Sequence, residues 1–150
     1  MDKISQILQT AQNRAREMNL SYAGAMLPDE AYQIMRNAPG AVMVDVRTRA
    51  ELDWVGTIPD ALAIEWATYP DMKNNAQFIA QLEQQADKDA LLMFICRSGA
   101  RSHNAAMVAT QAGYTACYNV LEGFEGDKDA SDHRNVLNGW RVRGLPWEQG

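Results

Sequence analysis

Cys96, Arg97, Gly99 and Arg101 fall within six residues, in the run Phe94-Ile95-Cys96-Arg97-Ser98-Gly99-Ala100-Arg101-Ser102-His103. That combination suits a nucleophilic cysteine that handles an anion. The run stands between a short apolar stretch with strand character and a segment with helical spacing, so the cysteine is expected just past the carboxyl end of a buried strand, the edge where open α/β sheets bind ligands. A tight loop opening a helix gathers backbone N–H groups at one spot and adds the positive helix end. Both that feature and the arginines on either side favour a negatively charged, reactive sulfur. Gly99 supplies the close backbone approach or positive φ that such a loop needs. A buried, inert cysteine is the ordinary alternative, since free Cys packs as a small hydrophobe. Two arginines and a glycine at a strand-to-helix junction are hard to explain by packing alone.

The elements that must position this loop are legible as an α/β pattern. Ala41 to Val46 and Leu91 to Ile95 are short, unalternated apolar runs, as expected of strands buried on both faces of a parallel sheet. A weak strand at Ala61 to Ile64 and a further strand at Ala116 to Val120 join them. Helices are expected from Ile4 to Met18, where apolar residues recur at three- and four-residue spacing, and from Pro28 to about Asn37, where proline and two acids open the first turn. Two more are expected from about Asn74 to Gln85 and from about Arg101 to Ala112, the last stopped by Gly113. Strand and helix in repeated order imply an open sheet with helices on both faces and right-handed crossovers.

Composition excludes several classes. The chain has 150 residues, 14 Lys+Arg against 19 Asp+Glu, and a formal charge of −5. Non-specific nucleic-acid binding is therefore not expected, and any anion must be held by a local basic site. A chain of this length buries roughly 68–70% of its unfolded surface without needing a disulfide or structural metal. No run approaches the roughly 18 apolar residues of a membrane span. The first residues, Met1 to Gln9, lack a signal-peptide core, so the expected compartment is the cytoplasm, where thiols stay reduced.

The active loop resembles that of the rhodanese family of sulfurtransferases, Cys-Arg-x-Gly-x-Arg or Thr, at Cys96, Arg97, Gly99 and Arg101. The resemblance extends to Val44-Asp45-Val46-Arg47 with Glu51, to Gly56-Thr57-Ile58-Pro59-Asp60-Ala61, and to the closing Gly139-Trp140 and Gly144-Leu145-Pro146-Trp147. It covers Pro28 to Trp147. It implies a rhodanese-like open parallel five-stranded sheet with helices on both faces, spanning residues 28–150, with residues 1–27 as a helical extension packed on it. It further implies that Cys96 takes a sulfane sulfur from a small anionic donor such as thiosulfate, or from a persulfide, and passes it to cyanide, a thiol or a protein acceptor. Arg97, Ser98, Gly99, Ala100, Arg101 and Ser102 would then bind the substrate, with no cofactor and no metal. In the family the strand-end aspartate, here Asp45, helps hold the arginine after the cysteine, here Arg97. Arg47 is expected to support the site in a structural i, i+4 pair with Glu51.

Other residues carry weaker signals. His103 follows Cys96 on the expected helix and need not face the loop, while His133 sits in a polar stretch. Cys117 is expected to be buried and inert, because the crossover puts it toward the other end of the sheet, beyond disulfide reach. Residues Gly126 to Asn138 are longer and more charged than the family pattern, and are either a lid or docking surface over Cys96 or an ordinary loop. Ser98 replaces a lysine found in some thiosulfate-using members. Two other functions compete. Certain phosphatases share the fold, but their loop needs five residues between Cys and Arg, and the four between Cys96 and Arg101 make a smaller cradle that suits a single sulfur better. A non-catalytic rhodanese-fold binding or sulfur-carrier module is the second; such modules often lack the cysteine.

Overall fold

The computed structural model describes residues 2–150. Five parallel strands form one sheet in the order β1-β7-β6-β2-β3. They are β1 (Gly24–Met26), β2 (Val42–Asp45), β3 (Leu62–Ala63), β6 (Leu91–Ile95) and β7 (Ala116–Val120). The helices are α1 (Lys3–Glu17), α2 (Pro28–Asn37), α3 (Arg49–Trp54), α4 (Phe78–Gln85) and α5 (Ala100–Gln111). The remaining strands, β4 (Ala67–Thr68) and β5 (Lys73–Asn74), pair antiparallel beside the sheet.

The sheet is buried on both sides, and alternate residues of each strand feed separate cores. Val44, Leu92 and Phe94 meet Phe78 and Leu82 of α4 and Ala105, Ala106 and Ala109 of α5. Met43, Met93 and Ile95 meet Ile7 and Ala11 of α1, Ala31 and Ile34 of α2, and Trp140. Burying each Leu, Ile, Phe or Met side chain contributes roughly 1.5–3 kcal/mol relative to exposure, so these strands are fixed from both faces. The central register is in turn tight: Val42 to Asp45 pair with Leu92 to Ile95. Asp45 and Cys96 are thereby brought to the same sheet edge.

Three elements depart from the sequence expectation. The strand β1 is Gly-Ala-Met, without a β-branched residue, and forms because all three residues are buried beside β7. Helix α3 is short and starts with a capping box, in which the Thr48 hydroxyl accepts from the Glu51 amide and the Glu51 carboxylate accepts from the Thr48 amide. The helix expected from Asn74 starts at Phe78, because Lys73 and Asn74 pair with β4 instead. Among the described residues no helix is long and apolar enough to cross a membrane.

Candidate active site

Cys96 is the first residue after β6, and α5 begins four residues later at Ala100. The loop between them turns through Gly99, the N-cap, at φ 112°, a conformation that a β-carbon would strain. That turn aims the Gly99 N–H at the Cys96 sulfur, 3.1 Å away. The Ser102 hydroxyl, fully buried in the first turn of α5, lies 3.3 Å from the same sulfur. Cys96 is 1% exposed, so its sulfur sits inside the cradle with two polar neighbours and the N-terminal end of a 12-residue helix. The Gly99 N–H donates to this sulfur, and in the Ser102 contact either the hydroxyl or the thiol can be the donor.

The loop is clamped from behind. The segment after β7 turns back so that the Phe124 amide donates to the Cys96 carbonyl at 2.8 Å, and the Glu125 and Gly126 amides donate to the Arg97 carbonyl at 3.0 and 3.2 Å. Gly123 makes this contact possible: at φ 69°, a β-carbon there would stand 2.5 Å from the Arg97 carbonyl carbon and oxygen. Asn119, a buried amide in β7, donates to the Gly99 carbonyl at 3.2 Å. The Tyr22 hydroxyl, from the turn between α1 and β1, hydrogen-bonds His103 Nδ1 at 2.7 Å. His103 is thus engaged by Tyr22 rather than by Cys96. Beyond Gly126 the segment folds on itself, with Asp127 and Asn138 paired and Asp129 accepting the Ser131 and His133 amides. His133 is exposed.

Two ion pairs flank the loop, and both differ from the pairing expected from the sequence. Asp45, 2% exposed, pairs with Arg47 at 2.6 Å instead of with Arg97. Arg47 is fully buried, donates also to the Gly56 carbonyl at 2.8 Å, and lies 4.0 Å from the Phe124 ring centre. A buried carboxylate needs a buried cation, and the Arg97 side chain is turned to solvent. Arg47 does not pair with Glu51 either, because it precedes Thr48, the N-cap of α3, where helical spacing does not apply. Glu51 reaches Arg101 across 50 residues with two bonds of 2.7 and 2.9 Å. Burial pushes the Glu51 carboxyl up, but the bonds and charge of Arg101, joined by Thr48, outweigh it and hold the group at about 2. Burial works against the charged Arg101 guanidinium too, and Glu51 more than offsets it.

A groove of about 460 Å³ runs beside the loop. Its lining combines apolar Val55, Tyr69, Pro70 and Met72 with polar Thr48, Glu51, Arg97, Arg101 and Glu125. Trp54, 70% exposed, extends the apolar rim by an edge contact with Tyr69. Of the residues after β7, Glu125 alone lines the groove. Ser98 and Gly99 are partly buried and Ala100 is exposed as the first residue of α5.

The match to known proteins agrees with this geometry. Residues 27–130 match the model of the rhodanese-like domain. The chain belongs to the rhodanese-like family. It is 35% identical over 99 residues to the thiosulfate sulfurtransferase GlpE of Pseudomonas savastanoi pv. phaseolicola, covering 66% of this chain and 82% of that protein. The RP600 homologue of Rickettsia rickettsii is 36% identical over 125 residues, 79% of this chain and 92% of that one. Among solved structures, Rv0390 from M. tuberculosis superposes with a TM-score of 0.80 at 46% identity, covering 87% of this chain and all of that one.

Sequence reasoning missed the parts of this rhodanese-like site that lie far apart in the chain. The Glu51–Arg101 pair, the clamp at Gly123 to Gly126 and the Tyr22–His103 contact depend on tertiary placement. Asn119 had a readable signal: a lone amide inside an apolar strand requires a buried partner.

Proposed function

We propose that this protein is a sulfurtransferase that carries a sulfane sulfur on Cys96 between a donor, such as thiosulfate or a persulfide, and a thiophilic acceptor, such as cyanide, a thiol or a protein. The observation that carries the reading is the Cys96 sulfur, which receives the Gly99 N–H and contacts the Ser102 hydroxyl at the start of α5. In the first step the Cys96 thiolate attacks the outer sulfur of the donor. A bond forms between the two sulfurs, the donor's own bond to that sulfur breaks, and the electron pair leaves with sulfite or a thiolate. In the second step the acceptor attacks the outer sulfur of the Cys96 persulfide, and the cysteine leaves as thiolate. Two displacements at one nucleophile give ping-pong kinetics, and the first needs no general base because the Cys96 thiolate itself is the attacking group.

The loop supplies what each step requires. Charge rests on the Cys96 sulfur before the first displacement and returns to it in the second, so the Gly99 amide beside it must hold its direction throughout. Asn119 and the clamp from Phe124 to Gly126 fix the carbonyls of that same loop, leaving its amides free to point inward. The test is steady-state transfer to cyanide, read as thiocyanate, with thiosulfate and an organic persulfide as alternative donors. Parallel lines in double-reciprocal plots and loss of turnover in Cys96→Ser are expected. A folded wild-type protein inactive with every donor would instead point to a non-catalytic binding module.

A further inference from the structure

The groove carries less positive charge than its two arginines suggest. Both terminal nitrogens of Arg101 are bound to Glu51, so this guanidinium has little charge left for a ligand. Arg97 is exposed and, among the described residues, has no carboxylate partner. Glu125 lines the same groove, and among the described residues its carboxylate is likewise unpaired. Two cations therefore face two carboxylates, and the formal charge of the groove sums to zero. The Asp45–Arg47 pair beneath is neutral as well. The same groove is lined by Val55, Tyr69, Pro70 and Met72, with Tyr69 58% and Met72 44% exposed. A compact dianion makes no use of such a lining.

We infer that the preferred donor is an organic persulfide with an apolar group next to its sulfurs, not the thiosulfate dianion, and that Glu51 sets this preference by neutralising Arg101. The inference rests on the sulfurtransferase reading. In the step it describes, the Cys96 thiolate attacks the outer sulfur of R–S–SH and a new sulfur–sulfur bond forms. The old sulfur–sulfur bond breaks, its electron pair leaves on R–S⁻, and the proton stays on the transferred sulfur. No oxidant or reductant is consumed. The departing thiolate carries one charge, which Arg97 can meet alone, and the R group packs on Tyr69 and Met72. Thiosulfate brings two charges and releases sulfite with two, against a groove that offers one free cation and one free carboxylate.

Glu51→Gln is the decisive variant. The amide keeps the size of the side chain and its capping role on α3, but removes the charge that holds Arg101. The released guanidinium should lower the KM for thiosulfate about tenfold, the scale of one unit charge brought into a partly exposed site. The KM for benzyl hydropersulfide should move by less than about threefold, because that donor does not depend on a second cation. Glu125→Gln, on the open side of the groove and outside the helix cap, should shift thiosulfate in the same direction by a smaller factor, and it serves if Glu51→Gln is unstable. In the wild-type protein kcat/KM should be higher for benzyl hydropersulfide than for thiosulfate. A neutral peptide carrying a cysteine persulfide, measured alongside, separates a protein donor from a small thiol carrier; the better of the two identifies the source. The inference is overturned if wild-type protein uses thiosulfate at least as well as either persulfide, or if the thiosulfate KM is unchanged in both variants. No persulfide on Cys96 from any donor would instead remove the sulfurtransferase reading itself.

Discussion

Cys96 and Cys117 are both free, both buried and on neighbouring parallel segments, and both border the same apolar core, yet the polar groups around their sulfurs differ. Cys117 lies inside β7, level with Leu92 of β6. That is four residues before Cys96, or roughly 13 Å along the strand. Its thiol faces the apolar core shared by α4 and α5, and burial pushes it up against a weaker opposing contact from Thr110. The thiol donates to the Tyr114 carbonyl at 4.0 Å. Cys96 has passed the end of the strand and meets an amide, a hydroxyl and a helix N-terminus. Equal burial thus comes with different polar surroundings. The position of a cysteine along its strand decides whether the backbone around it is spent on the sheet or free to serve the sulfur.

The contrast can be broken most directly at Cys96 itself. Cys96→Ser should reduce sulfur transfer by more than about a thousandfold, since the covalent carrier is gone, while thermal unfolding shifts by only a few degrees. Gly123→Ala should come next. It forces a side chain onto the Arg97 backbone at a positive φ, and should cost on the order of 2–4 kcal/mol of stability and much of the activity. Calorimetry and turnover measured on the same preparation would check both, and retained activity would mean that the clamp does not position the loop.

Acid sharpens the role of the pair beside the loop. The Glu51 carboxyl is held at about 2, below its ordinary 4.5, so its contribution to stability is complete above pH 4.5 and is lost as pH falls toward 2. That contribution is on the order of 1–3 kcal/mol. Glu51→Gln should therefore flatten the stability profile between pH 4.5 and 2 relative to wild type. Asn119→Ala should lower kcat several-fold at a cost of about 1–2 kcal/mol, by freeing the Gly99 carbonyl. The smallest effect belongs to Cys117→Ala. Activity should stay within about twofold, with a modest loss of stability from a small cavity. A large fall in activity there would undo the contrast between the two cysteines.

The sequence made the fold and the loop legible for different reasons. The strands β2, β6 and β7 are continuous apolar runs, and α1, α2 and α5 carry helical spacing or clear start and stop signals, so local pattern and tertiary role agree. By contrast β1 is three small or flexible residues that form a strand only because they pair with β7 and are covered by α1. At the site, Cys96, Arg97, Gly99 and Arg101 are contiguous, which is why their chemistry could be read directly. The ion pairs could not. Spacing suggested Arg47 with Glu51, and family resemblance suggested Asp45 with Arg97, but pairing follows burial and the start of α3. Arg101 reads in the sequence as an anion-binding cation, and the fold sets Glu51 of α3 beside it.

The most direct test of the account is intact mass spectrometry of the reduced protein after exposure to a sulfane sulfur donor, followed by peptide mapping. The account predicts a gain of one sulfur, about 32 Da, confined to Cys96, removed by cyanide, and absent from Cys117. No gain with either thiosulfate or an organic persulfide, or a gain that persists in Cys96→Ser, would contradict it.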